Sequence, residues 1–215
     1  KEWITENWDF DDDFEDDDMN WGALDAMADQ HFGQKTKNSM MNFNDILIAL
    51  KLPPVRIPPK QINSGSLATI YPNPHQAGTV IKVTADVGDI RNIEKAQKLR
   101  SPNIVRMHNV AYLGQGTAAA VLDFVQGPEI NMSAGEIMAL AENGYAQASQ
   151  DVLNPNPLQV QVLRRHKMNN KKQRAKWSEM FATLARLESM GIALDDLADN
   201  IIDAGRHFVL IDMGL

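Results

Sequence analysis

Cysteine is missing from all 215 residues. Its absence excludes disulfides, thiolate zinc sites and cysteine nucleophiles, and fits a reducing, intracellular setting, expected to be cytoplasmic. Long apolar runs are missing as well: none reaches the roughly 18 residues needed to span a bilayer, so no membrane partner is expected. No secretory signal pattern opens the chain, although it starts on Lys1 rather than Met, which is consistent with a lost N-terminal piece. Metal-ligand spacing is absent from the five histidines, His31, His75, His108, His166 and His207, which read as structural or exposed. Basic residues are nearly missing from the first 29 positions, which hold 12 acidic residues and one basic. The net charge of −7 therefore averages two unlike parts, because the remainder holds 16 acidic and 20 basic residues.

What is present is enough apolar residue, 44% of the chain, for one good-sized core or two small ones. The exception is residues 1–18, KEWITENWDFDDDFEDDD, where carboxylates surround Trp3, Trp8, Phe10 and Phe14. Such a segment cannot bury enough apolar surface to order itself and is expected to dock on a basic surface of a partner. Residues 19–59 carry two short amphipathic patterns, Trp21, Leu24, Ala28 with His31 or Phe32, then Phe43, Ile46, Leu47 and Leu50. Pro53, Pro54, Pro58 and Pro59 then break any helix within LPPVRIPPK, which reads as a linker and a boundary.

Beyond the linker, LATIY and GTVIKV around PNPHQAG predict a hairpin. A helix follows, opened by Asp89 or Gly88, with Ile90, Ile93 and Leu99 on its apolar side and Ser101-Pro102 as its stop. IVRMHNVAYL and GTAAAVLDFV predict two more strands. From residue 128 the chain turns helical: a capping box of Ser133 and Glu136 starts one helix, for which Gly144 suits the end. A polar, Asn- and Gln-rich stretch then leads into a helix from about Arg174 to Met190, with Gly191 as its left-handed cap. NIID and HFVLID around Gly205 predict a last short hairpin. The eleven methionines are many for this length, but Met180 and Met190 fall on core faces, so packing accounts for them.

A set of polar residues lies across these elements in a particular order. NSGSLATIY, Asn63 to Tyr71, has one glycine at its turn; Lys82 lies on a strand eleven residues past Tyr71, and Glu94 on a helix twelve residues further. Asp195 and Asn200 are separated by four residues, and Asp212 in LIDMG stands twelve past Asn200. This order, with SPNIVRMHNV and VLDFVQG between its halves, resembles the protein kinase-like superfamily over residues 61–215. The resemblance implies an α+β, protein kinase-like fold, with a small antiparallel β lobe and one helix (60–127), a truncated helical lobe (128–215) and an acidic N-terminal tail.

It also implies ATP and Mg2+ as cofactors. Asn63, Gly65, Ala68, Ile70, Val80, Leu122, Asp123 and Val125 would form the nucleotide cleft. Lys82 would grip the phosphates and be held by Glu94, Asn200 and Asp212 would hold the metal, and Asp195 would face the attacking hydroxyl. Asp196 is the alternative base and shortens the spacing to Asn200 by one. The departures bear on rate and control. Ala193 and Leu194 replace the histidine and arginine that usually precede the catalytic aspartate, which removes control by activation-loop phosphorylation. Leu197 replaces a phosphate-contacting lysine, which lowers the expected rate, and Met213 replaces the usual phenylalanine.

Two readings follow. One is an ATP- and magnesium-dependent phosphotransferase acting on a protein serine or threonine hydroxyl. The other is a kinase-fold interaction protein whose acidic tail is the working part. Arg164, Arg165, Lys167, Lys171, Lys172, Arg174 and Lys176 are a basic cluster that nucleic acid, the tail or solvent can occupy, nucleic acid being the less favoured partner.

Overall fold

The computed structural model describes residues 42–64, 67–168, 170–192, 194, 197 and 200–213. The acidic tail and the first amphipathic pattern lie outside the described residues. Asn42 caps the first helix, α1 (Phe43–Ala49), its side chain accepting from the Asp45 N–H at 3.0 Å. The apolar face read in the sequence, Phe43, Ile46, Leu47 and Leu50, is buried on Ile81, Leu113, Ala119 and Val121 of a sheet, with the Phe43 and Tyr71 rings 4.8 Å apart. The proline-rich run is tied to the same body. Asn44 exchanges two hydrogen bonds with the Val55 backbone, and the His75 ring meets the Pro53 carbonyl at 2.7 Å.

The sheet is antiparallel, in the order β1-β2-β3-β5-β4. It is formed by β1 (Asn63–Ser64), β2 (Ala68–Pro72), β3 (Thr79–Thr84), β4 (Met107–Gly114) and β5 (Thr117–Asp123). Alternation assigns its two faces. Ile81 and Val83 of β3 and Ala119 and Val121 of β5 meet α1. Val80, Ala118, Ala120 and Leu122 point to the other side, where α2 (Val87–Ala96) buries Ile90 and Ile93 completely. Each fully buried isoleucine contributes about 1.5–3 kcal/mol by removal from water. The cap of α2 is Asp86, which accepts from the Asp89 N–H at 3.1 Å, and not Asp89 or Gly88. Starting the helix two residues early frees the Asp89 side chain to turn inward.

Five further elements complete the body: α3 (Ala134–Leu140), α4 (Tyr145–Asp151), α5 (Pro157–Arg165), α6 (Lys171–Ser189) and the hairpin β6 (Ile201–Asp203) with β7 (Phe208–Leu210). The Ser133–Glu136 capping box forms as expected. Gly144 does not end α3, which stops at Leu140, but stands at the start of α4. The stretch read as polar and irregular holds α4 and α5, because each buries only two or three residues and shows little periodicity: Ala148 and Val152 for the first, Gln159, Val162 and Leu163 for the second. The missed signal was Asn156-Pro157-x-Gln159, a capping box with proline in the first turn.

Helix α6 begins three residues earlier than expected, because Asn170 caps it, and Gly191 at φ 70° follows its end. Its inward stripe, Trp177, Met180, Phe181, Leu184 and Leu187, is wholly buried, and the Trp177 ring lies 4.7 Å from Phe208 of β7. The SPNIV segment joins the two halves. The buried Asn103 side chain donates to the Phe208 carbonyl at 2.8 Å, and the Val105 N–H and Leu210 carbonyl pair at 2.9 Å. Gly127 after β5 passes so close to β6 that a Cβ there would lie 2.1 Å from the Asp203 carbonyl oxygen, so only glycine fits without a shift. Among the described residues no helix is long and apolar enough to cross a membrane. The architecture is mixed α+β.

Candidate functional site

Lys82 lies mid-strand in β3, opposite Ile70 of β2 and Ala120 of β5, with its side chain on the inner face of the sheet. It is 4% exposed and bound by two carboxylates, Asp89 Oδ2 at 2.6 Å and Asp212 Oδ2 at 2.8 Å. Burial alone lowers a lysine pKa. Here Asp89 and Asp212 outweigh burial, and the Lys82 ammonium stands above its ordinary value. For Asp89 burial is the largest influence and pushes the carboxyl up to about 7, against the downward pull of Lys82.

Asp89 and Asn92 also grip the segment that carries Asp212. Asp89 Oδ1 accepts from the Met213 N–H at 2.9 Å, and Asn92, one helical turn on, donates to the Met213 carbonyl at 2.9 Å. Asp212 arrives there because β7 pairs with residues 103–105 and the chain then runs on towards α2. Its side chain is a third exposed and opens into a cleft of about 390 Å³.

The cleft brings together Ala68, Ile70, Val80, Lys82, Leu122, Asp123, Val125, Asn200 and Asp212, all singled out in the sequence. The opposite wall is Ile202 and Ile211, neither of them expected; they flank Asn200 and Asp212 on the last hairpin, where an apolar neighbour of each ligand was the available signal. Asn63 sits in β1 opposite Ile70, and Gly65, Asp195 and Asp196 lie outside the described residues.

Glu94 requires a correction. Its carboxylate accepts from the Tyr112 hydroxyl at 2.8 Å and does not hold Lys82. Burial first, and this bond second, raise the Tyr112 pKa. Glu94 stands five positions after Asp89, about 140° around a helix, so only one of them can face the lysine, and α2 is turned to present the aspartate. Spacing along the sequence was insensitive to that rotation.

A wider groove of about 1010 Å³ lies behind the β5 exit and shares Val105, Asp123, Phe124 and Val125 with the cleft. It holds neither Lys82 nor Asp212, both of which line the smaller cleft.

Asp89 binds a proton more tightly folded than at its ordinary value of 3.8. Its contribution to stability is full below about pH 4 and is lost as pH rises through about 7. Asp89→Asn should therefore flatten the pH dependence of the urea midpoint over roughly pH 4–7; an unaltered profile would refute this account of Asp89.

No protein-family model and no curated protein sequence matches the chain. Among solved structures it is similar to the Cydia pomonella granulovirus kinase, PK-1, at 14% identity and a TM-score of 0.36. The likeness is to a kinase, at low similarity. It covers 74% of this chain and 51% of that one, so the chain spans about half the length of the viral kinase. What the site can do rests on its own geometry. Apolar walls suit a flat heterocycle, a buried ammonium suits phosphate, and two oxygen donors, the Asp212 carboxylate and the Asn200 amide, suit a magnesium ion that also takes phosphate oxygens.

Proposed function

We propose that this chain is an ATP- and magnesium-dependent phosphotransferase of the protein kinase-like type, acting on a protein serine or threonine hydroxyl. The observation that carries the reading is the meeting of Lys82 and Asp212, 130 residues apart, at 2.8 Å on the wall of an apolar cleft of about 390 Å³. Adenine would lie between Ala68, Ile70 and Val80 on one side and Ile202 and Ile211 on the other, with its edge toward Leu122 to Val125. Lys82 would hold the phosphates, with Asp89 as its buried anchor in the place expected of Glu94. Asn200 and Asp212 would hold magnesium, which when bound offsets the charge on the phosphates. Asp195, or Asp196 in its place, is assigned to accept the hydroxyl proton.

A second reading, a kinase-fold interaction protein, draws on the pinning of Lys82 by two carboxylates and on Leu197, which is 5% exposed and buried in the core. One experiment separates the two. The intact chain is heated with and without ATP and magnesium, then incubated with radiolabelled ATP and a mixture of serine and threonine peptides. Stabilisation together with label transfer supports the enzyme. Stabilisation without transfer supports a nucleotide-gated binder, and no stabilisation rejects the nucleotide site.

A further inference from the structure

The structure sorts the seven cations between Arg164 and Lys176. Lys176 is buried, pairs with Asp203 and lies 4.5 Å from the centre of the Phe208 ring. Arg165 reaches Glu136 at 2.8 Å. The other five, Arg164, Lys167, Lys171, Lys172 and Arg174, have no ion pair among the described residues, and all but the half-buried Arg174 are exposed. No acidic residue occurs between Asp151 and Glu179, so the local sequence supplies no counter-charge.

These cations form one corner, where α5 ends at Arg165 and α6 starts at Lys171. The turn between them is closed by Lys167 N–H to the Arg164 carbonyl at 2.9 Å and Met168 N–H to the Leu163 carbonyl at 2.6 Å. Met168 is buried, and its Sδ accepts from Trp177 Nε1 at 3.0 Å. The backbone beneath the corner is thus anchored in the core. Like charges gathered on one short stretch of chain repel one another unless an anion is supplied.

One part of the chain has the opposite excess. Residues 1–18 hold ten carboxylates against a single lysine, along with two tryptophans and two phenylalanines. The 23 residues 19–41 that connect this segment to α1 reach at most about 80 Å. That is roughly twice the diameter of a domain of this size. A tethered segment acts at an effective concentration in the millimolar range, ahead of a free competitor such as nucleic acid. At the other end of α5, about 10 Å along the helix from Arg165, Leu158 is 49% exposed and offers an apolar surface for a ring.

We propose that residues 1–18 dock in cis on this basic corner, their carboxylates on Arg164, Lys167, Lys171, Lys172 and Arg174 and their aromatic rings on the cations' apolar stems and Leu158. The inference does not depend on the nucleotide reading. It is tested on the full chain by carbodiimide cross-linking, which joins carboxylates to lysines in contact, followed by mass spectrometry. The expected products link residues 1–18 to Lys167, Lys171 and Lys172, within single chains in a mixture of light and heavy-isotope protein, and fade at high salt. The double substitution R164E/R174E keeps all three lysines but turns two attractions into repulsions. It should cut those yields roughly tenfold, with an unchanged circular dichroism spectrum. Equal linkage to Lys51, Lys60 and Lys98, links between chains, or yields unmoved in R164E/R174E would overturn the proposal. So would shielding of the three lysines by a single-stranded oligonucleotide in protein that shows no tail links.

Discussion

Lys82→Met should abolish the thermal response to ATP and magnesium and lower stability by about 3–5 kcal/mol. The loss is large because the ammonium is the counter-charge for Asp89, 2.6 Å away and 1% exposed. Without it, the buried Asp89 carboxylate is left beside the partly exposed Asp212 with no counter-charge. Protonation of Asp89 relieves part of this, so urea unfolding should show a smaller deficit at pH 6 than at pH 8. Asp212→Asn is the informative companion. Its side chain is a third exposed, so the fold should tolerate the change, and the variant should lose the magnesium-dependent part of the response while its midpoint without nucleotide stays close to that of the parent. An intact ATP response in both variants would remove the site from this cleft.

The second large effect is expected far from the cleft. Trp177→Ala should cost about 3–5 kcal/mol, a large share of the 5–15 kcal/mol typical of a folded domain. Trp177 is completely buried, stacks on Phe181 at 5.3 Å, packs on Phe208 at 4.7 Å and donates to Met168 at 3.0 Å. Phe208 belongs to β7, which leads directly to Asp212, so the same substitution should weaken the nucleotide response of whatever fraction remains folded. Trp177→Phe keeps the ring contacts and loses only the donor, and should retain well over half of the lost stability. Urea denaturation followed by circular dichroism decides both; a midpoint unmoved in Trp177→Ala would show that the α6 core is not a main support of the fold.

The parts of the fold legible in the sequence were those whose signal is local. The β2–β3 hairpin follows from two β-rich runs around PNPHQAG, α6 from a five-residue apolar stripe with Gly191 behind it, and the start of α3 from the spacing of Ser133 and Glu136. Helices α4 and α5 were hidden because short helices at the edge of a body bury too few residues to mark a period. Most of the cleft was legible in the same way: strand alternation alone puts Val80, Lys82, Ala120 and Leu122 on one face.

Glu94 was misassigned for a different reason. Its spacing from Lys82 was that of the resembled family, but which side of α2 faces the lysine depends on how the helix is packed. The packing is set by Ile90 and Ile93 in the core, by the Asp86 cap and by the clasp of Asp89 and Asn92 on Met213. None of these is a property of a window of sequence.

The lack of cysteine excluded thiolate chemistry from the sequence alone. The order of polar residues that resembles the protein kinase-like superfamily implied Lys82, Asn200 and Asp212 as the candidates. Only the tertiary structure decided that Asp89 is the lysine's anchor and that five cations of the basic cluster have no ion pair among the described residues. Order along a chain records which residues are present, whereas pairing depends on distances of a few ångströms between residues as much as 130 positions apart.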